Sequence, residues 1–186
     1  DEVEWLPRGE NEGVIEAIHP RRTVLQRVDG GNTQRPLAAN IDQVIIEAAP
    51  EPALDTFLID KYTIAAELAG CTALIVANKS DLLDIEQRTD IENLFREYNA
   101  VGYTTLFTSA LENTGIDEFA EQLTGRTSIL VGQSGVGKAS LIKRLLPELD
   151  IATGQLSDAS GRGKHTTTAT TLYPLPHGGR LIVSPG

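Results

Sequence analysis

The sequence predicts an α/β fold, in which a mostly parallel sheet carries helices on both faces and follows a set of short antiparallel strands. From Gln43 onward, apolar runs of strand length alternate with amphipathic stretches of helical length, a pattern typical of a parallel sheet that is covered on both sides. Before that point, residues 13–27 alternate β-branched and polar side chains, break at Pro20 and lead into a turn sequence at 29–32. This second pattern indicates antiparallel strands.

The individual elements follow in order along the chain. The patterns predict strands at residues 44–48, 73–77, 104–108 and 128–131, and helices at 54–69, 86–98 and 115–123. A further helix begins at Lys138 and ends near Pro147, and a final strand pair is predicted at 170–175 and 180–183. With 186 residues, the chain has room for one full domain and a remnant. We therefore expect an α/β domain at 41–186, preceded at 1–40 by part of a small β-barrel.

Composition excludes several classes of protein. One cysteine, Cys71, and three scattered histidines rule out a disulfide framework and leave no C-x-x-C pair for a zinc site. No apolar run approaches the roughly 18 residues of a membrane span, and the acidic start is unlike a signal peptide. We therefore expect a soluble cytoplasmic protein, with no membrane partner, that is a monomer.

The net charge bears on nucleic-acid binding. A formal charge of −10 argues against non-specific binding of nucleic acid by the whole surface. A local cationic patch stays open, because His19-Pro20-Arg21-Arg22 lies close in sequence to Arg27 and Arg35. These side chains either contact RNA or are ordinary solvated residues on a strand and a turn.

A phosphate-binding loop is predicted after the strand at 128–131. The sequence Gly132-Gln133-Ser134-Gly135-Val136-Gly137-Lys138-Ala139 has the G-x-x-x-x-G-K form and, with Ser140, opens a helix. Its glycines let backbone N–H groups face phosphates, and the helix presents its positive N-terminus. Lys138 can reach the β and γ oxygens and is a predicted catalytic residue. A chance match in an ordinary loop is the alternative, and the flanking strand and helix argue against it.

A guanine-reading motif is predicted after the strand at 73–77. Asn78-Lys79-Ser80-Asp81 has the N-K-x-D form, and Asp81 is placed to accept hydrogen bonds from the guanine ring N1–H and the exocyclic amine. A helix N-cap is the alternative role for Asp81. Thr108-Ser109-Ala110, after the next predicted strand, matches the third base-contacting element of GTPases, so Ser109 and Ala110 are also assigned to the nucleotide.

The order of these two motifs predicts the topology. Ordinary GTPases carry the phosphate loop before the guanine-reading motif, whereas here Asn78-Lys79-Ser80-Asp81 comes first. The sequence therefore predicts a circularly permuted P-loop GTPase domain that binds GTP or GDP.

Residues 157–168 are polar, glycine-rich and too long for an idle connection, and we interpret them as a switch loop. A threonine in this loop is expected to bind Mg²⁺ and to sense the γ-phosphate, with Thr167 preferred over its two neighbouring threonines. Lys164 or His165 could stabilise charge in the transition state or orient a water molecule. The alternative is an ordinary solvent loop in which His165 has no role.

The motifs taken together resemble one family closely, the RsgA (YjeQ) ribosome small-subunit-dependent GTPases. The resemblance covers nearly the whole chain. Besides the motifs above, it includes the sequences at 35–44, 123–126, 172–173, 176–179 and 184–186.

The resemblance implies a fold and a set of partners. It implies an N-terminal OB-fold, of which residues 1–40 would be a part, a permuted G domain at 41–186, and a C-terminal zinc-binding domain that is absent from this chain, which stops at Gly186 and has no further cysteines. It also implies a GTPase that acts late in assembly of the small ribosomal subunit. Its partners would be the 30S particle and its 16S rRNA, and hydrolysis would be faster when the protein is bound there.

Two residues depart from the family pattern, and both concern Mg²⁺. The family has Ser or Thr after the phosphate-loop lysine, where this chain has Ala139, and Ser140 points elsewhere on the helix. The family also has Asp before Ser-Pro-Gly, where this chain has Val183. We therefore expect weakened metal coordination and hydrolysis that is more impaired than nucleotide binding.

Three functions are weighed against each other. The first is a GTPase assembly factor that couples nucleotide state to ribosome binding. The second is a non-catalytic scaffold that binds nucleotide and docks on rRNA without cycling, which Ala139 and Val183 favour. The third, an ATP-dependent P-loop enzyme, conflicts with Asp81.

Overall fold

The computed structural model describes residues 1–9, 12–28, 34–148 and 170–184. Its N-terminal part contains two antiparallel hairpins, in which β1 (Val3–Pro7) pairs with β2 (Gly13–Ile18), and β3 (Val24–Val28) pairs with β4 (Gln34–Ala39). The antiparallel strands expected here are confirmed, and they fit part of an OB-fold. The turn sequence at 29–32 lies outside the described residues, and the boundary at residue 40 stays a prediction.

A six-stranded sheet forms the centre of the molecule. Its strands are β5 (Gln43–Ala48), β6 (Thr72–Ala77), β7 (Thr104–Phe107), β8 (Thr127–Gly132), β9 (Thr171–Pro174) and β10 (Arg180–Val183). The order across the sheet is β7-β6-β5-β8-β10-β9. Every pairing is parallel except that of β9 with β10. The sheet thus agrees with the predicted fold class, and each strand lies within two residues of its predicted bounds.

Four helices connect the strands in the described part of the chain: α1 (Thr56–Ala69), α2 (Ile85–Ala100), α3 (Ile116–Leu123) and α4 (Lys138–Leu145). Their ends follow local chemistry. Asp84 caps α2 in a capping box with Gln87, and α1 stops at Gly70, which has a φ of 72°. Asp81 lies instead in a short 3₁₀ turn, Ser80–Leu82, so the N-cap alternative for Asp81 is wrong.

The two faces of the sheet carry separate apolar cores. On one face, α1 and α2 pack against residues such as Ile46 and Ile75, and the β3–β4 hairpin contributes Leu25 to the same cluster. On the other face, α3 and α4 pack against residues such as Ile45. Parallel strands buried on both faces read as continuous apolar runs, which is why the sequence pattern located them. Within the described residues, no helix combines the length and apolar character that crossing a membrane requires.

Candidate nucleotide-binding site

Three loops converge at the carboxyl edge of the sheet. They follow β6, β7 and β8 and carry the predicted segments at 78–81, 108–110 and 132–140. Parallel strands end at one edge, and ligands of open α/β sheets bind there. The tertiary structure therefore brings together the predicted base-reading and phosphate-binding segments, which are separated by about fifty residues in sequence.

The phosphate-loop segment requires glycine at two points of close approach. A Cβ at Gly132 would lie 2.3 Å from the main-chain oxygen of Glu47, and one at Gly137 would lie 2.4 Å from Nδ2 of Asn78. Both glycines also have positive φ, 150° and 114°, which disfavours other residues. The loop is thus pressed against β5 and the base-reading segment, with its exposed side formed by Gln133, Ser134 and Gly135.

Lys138 begins α4 and lies across this loop. Only 9% of the residue is exposed, and its Nζ donates to the main-chain oxygens of Gly132 at 2.9 Å and Gln133 at 2.7 Å. Burial lowers the pKa of the ammonium, and the nearby Glu47 carboxylate acts in the opposite direction. A cation held this way can exchange loop carbonyls for phosphate oxygens without moving far.

Asn78 connects the loops to each other. It is 1% exposed, and its Nδ2 donates to Glu47 Oε1 at 2.9 Å and to the Val136 main-chain oxygen at 3.2 Å. Its Oδ1 accepts from Thr108 Oγ1 at 3.2 Å and from the Ala110 N–H at 3.3 Å. One buried amide therefore joins the phosphate-loop segment to both base-reading segments.

Asp81 is oriented by its neighbours in the base-reading segments. Ser109 Oγ donates to Asp81 Oδ1 and accepts from the Glu112 N–H at 3.0 Å. The Ser80 N–H donates to the Thr108 main-chain oxygen at 3.0 Å, which fixes the two segments side by side. Lys79 adopts a left-handed conformation, with its Nζ donating to the Glu51 main-chain oxygen at 2.7 Å. Asp81 is thus a partly exposed carboxylate in a fixed position.

Sequence reasoning missed Glu47, a buried carboxyl group on β5. Glu47 is 1% exposed, and its Oε2 has no hydrogen-bond partner among the described residues. Burial raises the pKa of this carboxyl from its ordinary value of 4.5 to about 7. The signal was present in the sequence, because Glu47 is the charged residue in an otherwise uncharged run predicted to be buried.

Sequence reasoning also missed Arg144 on α4. Its Nε donates to the main-chain oxygen of Ala110 at 2.6 Å, and its Nη2 donates to that of Leu111 at 3.1 Å. The guanidinium therefore ties the helix that follows the phosphate loop to the loop that contains Ser109 and Ala110. No sequence signal pointed to this contact, since a cation in the last turn of a helix is ordinary.

The two positions that depart from the family pattern carry no side-chain oxygen for a magnesium ion. Ala139, in the first turn of α4, has no hydroxyl group, and Val183 is buried at the end of β10 within the apolar core. No group of three or more His, Cys, Asp or Glu side chains suited to a metal ion occurs in the described ranges. The predicted residues Lys164, His165 and Thr167 lie outside the described residues.

Curated relatives match the chain from end to end. A family model described as RsgA GTPase matches residues 18–186. The small ribosomal subunit biogenesis GTPase RsgA of Chromohalobacter salexigens is 48% identical over 186 residues, which cover 100% of this chain and 54% of the relative. The protein of the same name from Sodalis glossinidius is 47% identical over 192 residues, which cover 100% of this chain and 56% of the relative. The chain thus spans about half the length of these relatives.

Solved structures share the fold. The crystal structure of YjeQ from Thermotoga maritima matches with a TM-score of 0.78 and 32% sequence identity. The match covers 99% of this chain and 59% of the YjeQ chain. The structure of YloQ, described as a circularly permuted GTPase, matches with a TM-score of 0.71 over 99% of this chain and 55% of the YloQ chain. Its sequence identity is 22%, so this match shows the fold alone. The permutation that motif order predicted is therefore confirmed. From the family model and its relatives, the chain belongs to the RsgA GTPase family.

Proposed function

We propose that this chain is the guanine-nucleotide-binding part of a cytoplasmic, monomeric GTPase that acts in maturation of the 30S ribosomal subunit. One observation carries the proposal: Asn78 joins the phosphate-loop segment and the base-reading segments into one buried network at the carboxyl edge of the sheet. The names of the relatives, small ribosomal subunit biogenesis GTPases, support the ribosomal role. The expected partners are the 30S particle and its 16S rRNA. The resemblance to the family would assign zinc to a further C-terminal domain and not to residues 1–186.

Each segment has a role in this proposal. The N–H groups of the loop at 132–140, with Lys138, bind the β and γ phosphates, and Asp81 accepts from guanine N1–H and the exocyclic amine. Ser109 and Ala110 complete the base site beside Asn78 and Lys79. His165 and Thr167 remain our candidates for water positioning and metal binding in the switch loop.

We further propose that hydrolysis in this chain is weak while binding persists. Mg²⁺, when bound to a nucleotide, would neutralise charge on the phosphates. Ala139 and Val183 supply no side-chain oxygen for it, whereas the amides, Lys138 and Asp81 that would hold the nucleotide are all present. The second candidate function, a nucleotide-bound scaffold that docks on rRNA without cycling, is favoured by these same two residues.

A hydrolysis assay separates the two functions. Phosphate release from GTP would be measured at saturating Mg²⁺, with and without 30S subunits, for the natural chain and for the double variant Ala139→Ser, Val183→Asp. We expect slow release from the natural chain and faster single-turnover release from the variant. Equal rates would contradict the role assigned to these positions, and no release from either protein with 30S subunits would favour the scaffold. Competition of GTP against ATP for a fluorescent GDP tests guanine selectivity in the same samples.

A further inference from the structure

A buried carboxyl group lies directly beneath the phosphate-loop segment, and the function proposed above does not use it. Glu47 stands near the carboxyl end of β5 and is level with Gly132 in the sheet register. Its side chain lies on the face of the sheet that packs against α4, because Ile45, two residues earlier, shares a core cluster with Leu141. The carboxyl group is therefore on the inner side of the loop whose outer side would receive phosphates.

The contacts of Glu47 place it in the network that holds the loop. Oε1 accepts from Asn78 Nδ2 at 2.9 Å, and the same nitrogen donates to the Val136 oxygen at 3.2 Å. A Cβ at Gly137 would lie 3.4 Å from Glu47 Oε1, so the first turn of α4 sits on this pair. Oε2 has no hydrogen-bond partner in the part of the chain that the structure describes.

The charges around Glu47 and its burial leave this carboxyl group partly protonated near neutral pH. Lys138 from α4 and Lys79 from the turn after β6 are the charged groups that favour the anion, while β8 presents its main chain at Gly132. Desolvation outweighs the Asn78 hydrogen bond and both lysines, so the pKa of Glu47 is raised to about 7. A change in local charge would therefore change its protonation at physiological pH.

A bound nucleotide makes such a change. Its phosphates would bring several negative charges to the N–H groups on the other side of the loop, and they would draw on the same Lys138 that favours the Glu47 anion. We propose that Glu47 is a positioning residue for guanine nucleotides, which holds the Asn78 amide against the phosphate loop and takes up a proton when a nucleoside di- or triphosphate occupies that loop. This inference rests on the nucleotide binding proposed above.

Linkage gives the sign of the effect. If nucleotide binding favours protonated Glu47, protonation favours nucleotide binding equally, so affinity rises as pH falls. Glu47 has one pKa in the free protein and a higher pKa in the complex. As pH rises from the first value to the second, nucleotide affinity falls by up to about tenfold per pH unit. Below the free pKa, near 7, Glu47 no longer contributes to the pH dependence.

Two variants of the whole chain separate the proton from the hydrogen bond. Glu47→Gln keeps an acceptor for Asn78 Nδ2 and cannot ionise, and Glu47→Leu removes both properties. GDP affinity would be measured from pH 6 to 8.5 by competition with fluorescent N-methylanthraniloyl GDP. Calorimetry in two buffers of different ionisation enthalpy would count the protons taken up. Titration of the GDP phosphates is common to all three proteins and cancels in the comparison.

We expect the natural chain to bind GDP at least about threefold more weakly, relative to Glu47→Gln, at pH 8 than at pH 6.5, and to take up more protons near pH 7.5. Glu47→Leu should bind more weakly than Glu47→Gln at every pH, with a parallel profile. Parallel profiles for the natural chain and Glu47→Gln would overturn the proton coupling while GDP binding stood. Equal affinities of Glu47→Gln and Glu47→Leu would overturn the positioning role. If none of the three bound GDP at any pH, the proposed function itself would fail, and this inference with it.

Discussion

At the scale of single residues, the buried amide of Asn78 explains why two motifs far apart in sequence form one site. Each of its two polar side-chain atoms has two hydrogen-bond partners. These partners belong to β5, the phosphate-loop segment and the segment at 108–110. A buried amide with all its partners in place fixes the geometry of its surroundings, because any displacement leaves a polar atom unsatisfied. Asp81 then stands at a defined distance from the phosphate loop, as recognition of a base and its phosphates together requires.

The role assigned to Asp81 predicts a change of base specificity. Xanthine carries a carbonyl where guanine carries the exocyclic amine, so an acceptor that suits guanine should be replaced by a donor. We expect Asp81→Asn to weaken GDP binding by at least about a hundredfold, or about 3 kcal/mol, and to bind XDP more tightly than GDP. Competition of GDP and XDP against a fluorescent nucleotide would measure this. Unchanged preference for GDP in Asp81→Asn would remove Asp81 from the base site.

The buried carboxyl of Glu47 predicts a pH-dependent stability. Its folded pKa of about 7 lies above its ordinary 4.5, so the folded chain binds the proton more tightly and loses stability as pH rises from 4.5 to 7. The loss is about 3 kcal/mol and is complete above pH 7. Urea unfolding at pH 5 and pH 8 should therefore show the natural chain losing stability relative to Glu47→Gln. The same difference between the two proteins at both pH values would contradict the raised pKa.

At the scale of elements, α4 links the phosphate loop to the base-reading loop through both of its ends. Its first turn contains Lys138, which bonds loop carbonyls, and Arg144 near its other end bonds the carbonyls of Ala110 and Leu111. The helix can hold the two loops in register because its backbone hydrogen bonds make it stiff and its apolar side, including Leu141, is buried.

Removal of this link should act on the base site more than on the phosphate site. Arg144→Ala is expected to weaken GDP binding about three- to tenfold, since two charge-assisted hydrogen bonds at a partly exposed position are lost. Binding of pyrophosphate, which has no base, should change much less. Lys143→Ala is the matched control, because it removes the same charge from a neighbouring exposed position. Equal losses of GDP affinity in the two variants would mean that Arg144 acts only through its positive charge and not through its hydrogen bonds.

At the scale of the whole molecule, the sheet separates two cores, and the site lies at the edge where both end. Phe119 on α3 is fully buried in the core that α3 and α4 form with the sheet, whereas Phe57 on α1 is 76% exposed. The buried Phe119 is therefore expected to contribute much more to the free energy of unfolding than the exposed Phe57.

Two phenylalanine variants test this difference. Phe119→Ala should lower the free energy of unfolding by about 3–5 kcal/mol, because it leaves a cavity in a packed core. Phe57→Ala should change it by less than about 0.5 kcal/mol. Urea denaturation followed by circular dichroism measures both. Similar small effects in the two variants would mean that the core around Phe119 is not packed as described.

Local pattern allowed much of the fold to be predicted. Strands buried on both faces and amphipathic helices have characteristic runs, so the strand and helix positions followed from residues such as Val44 and Ile129 without knowledge of their partners. The segments at 78–81 and 132–138 were assigned to the candidate site because a base and a phosphate require particular residues at fixed spacing. The order of these segments gave the permutation, which is a property of the chain and not of its packing.

The sequence by itself determined the elements, the motif order and the family pattern with its departures at Ala139 and Val183. Only the tertiary structure decided that Glu47 lies under the phosphate loop, that Asn78 joins three segments and that Arg144 reaches the base-reading loop. The physical reason is how far apart in the sequence the interacting residues lie. Local patterns depend on neighbours within a turn or a strand, whereas Glu47 meets Asn78 across 31 residues and Arg144 meets Ala110 across 34. Such contacts exist only once the parallel sheet has brought its carboxyl ends together.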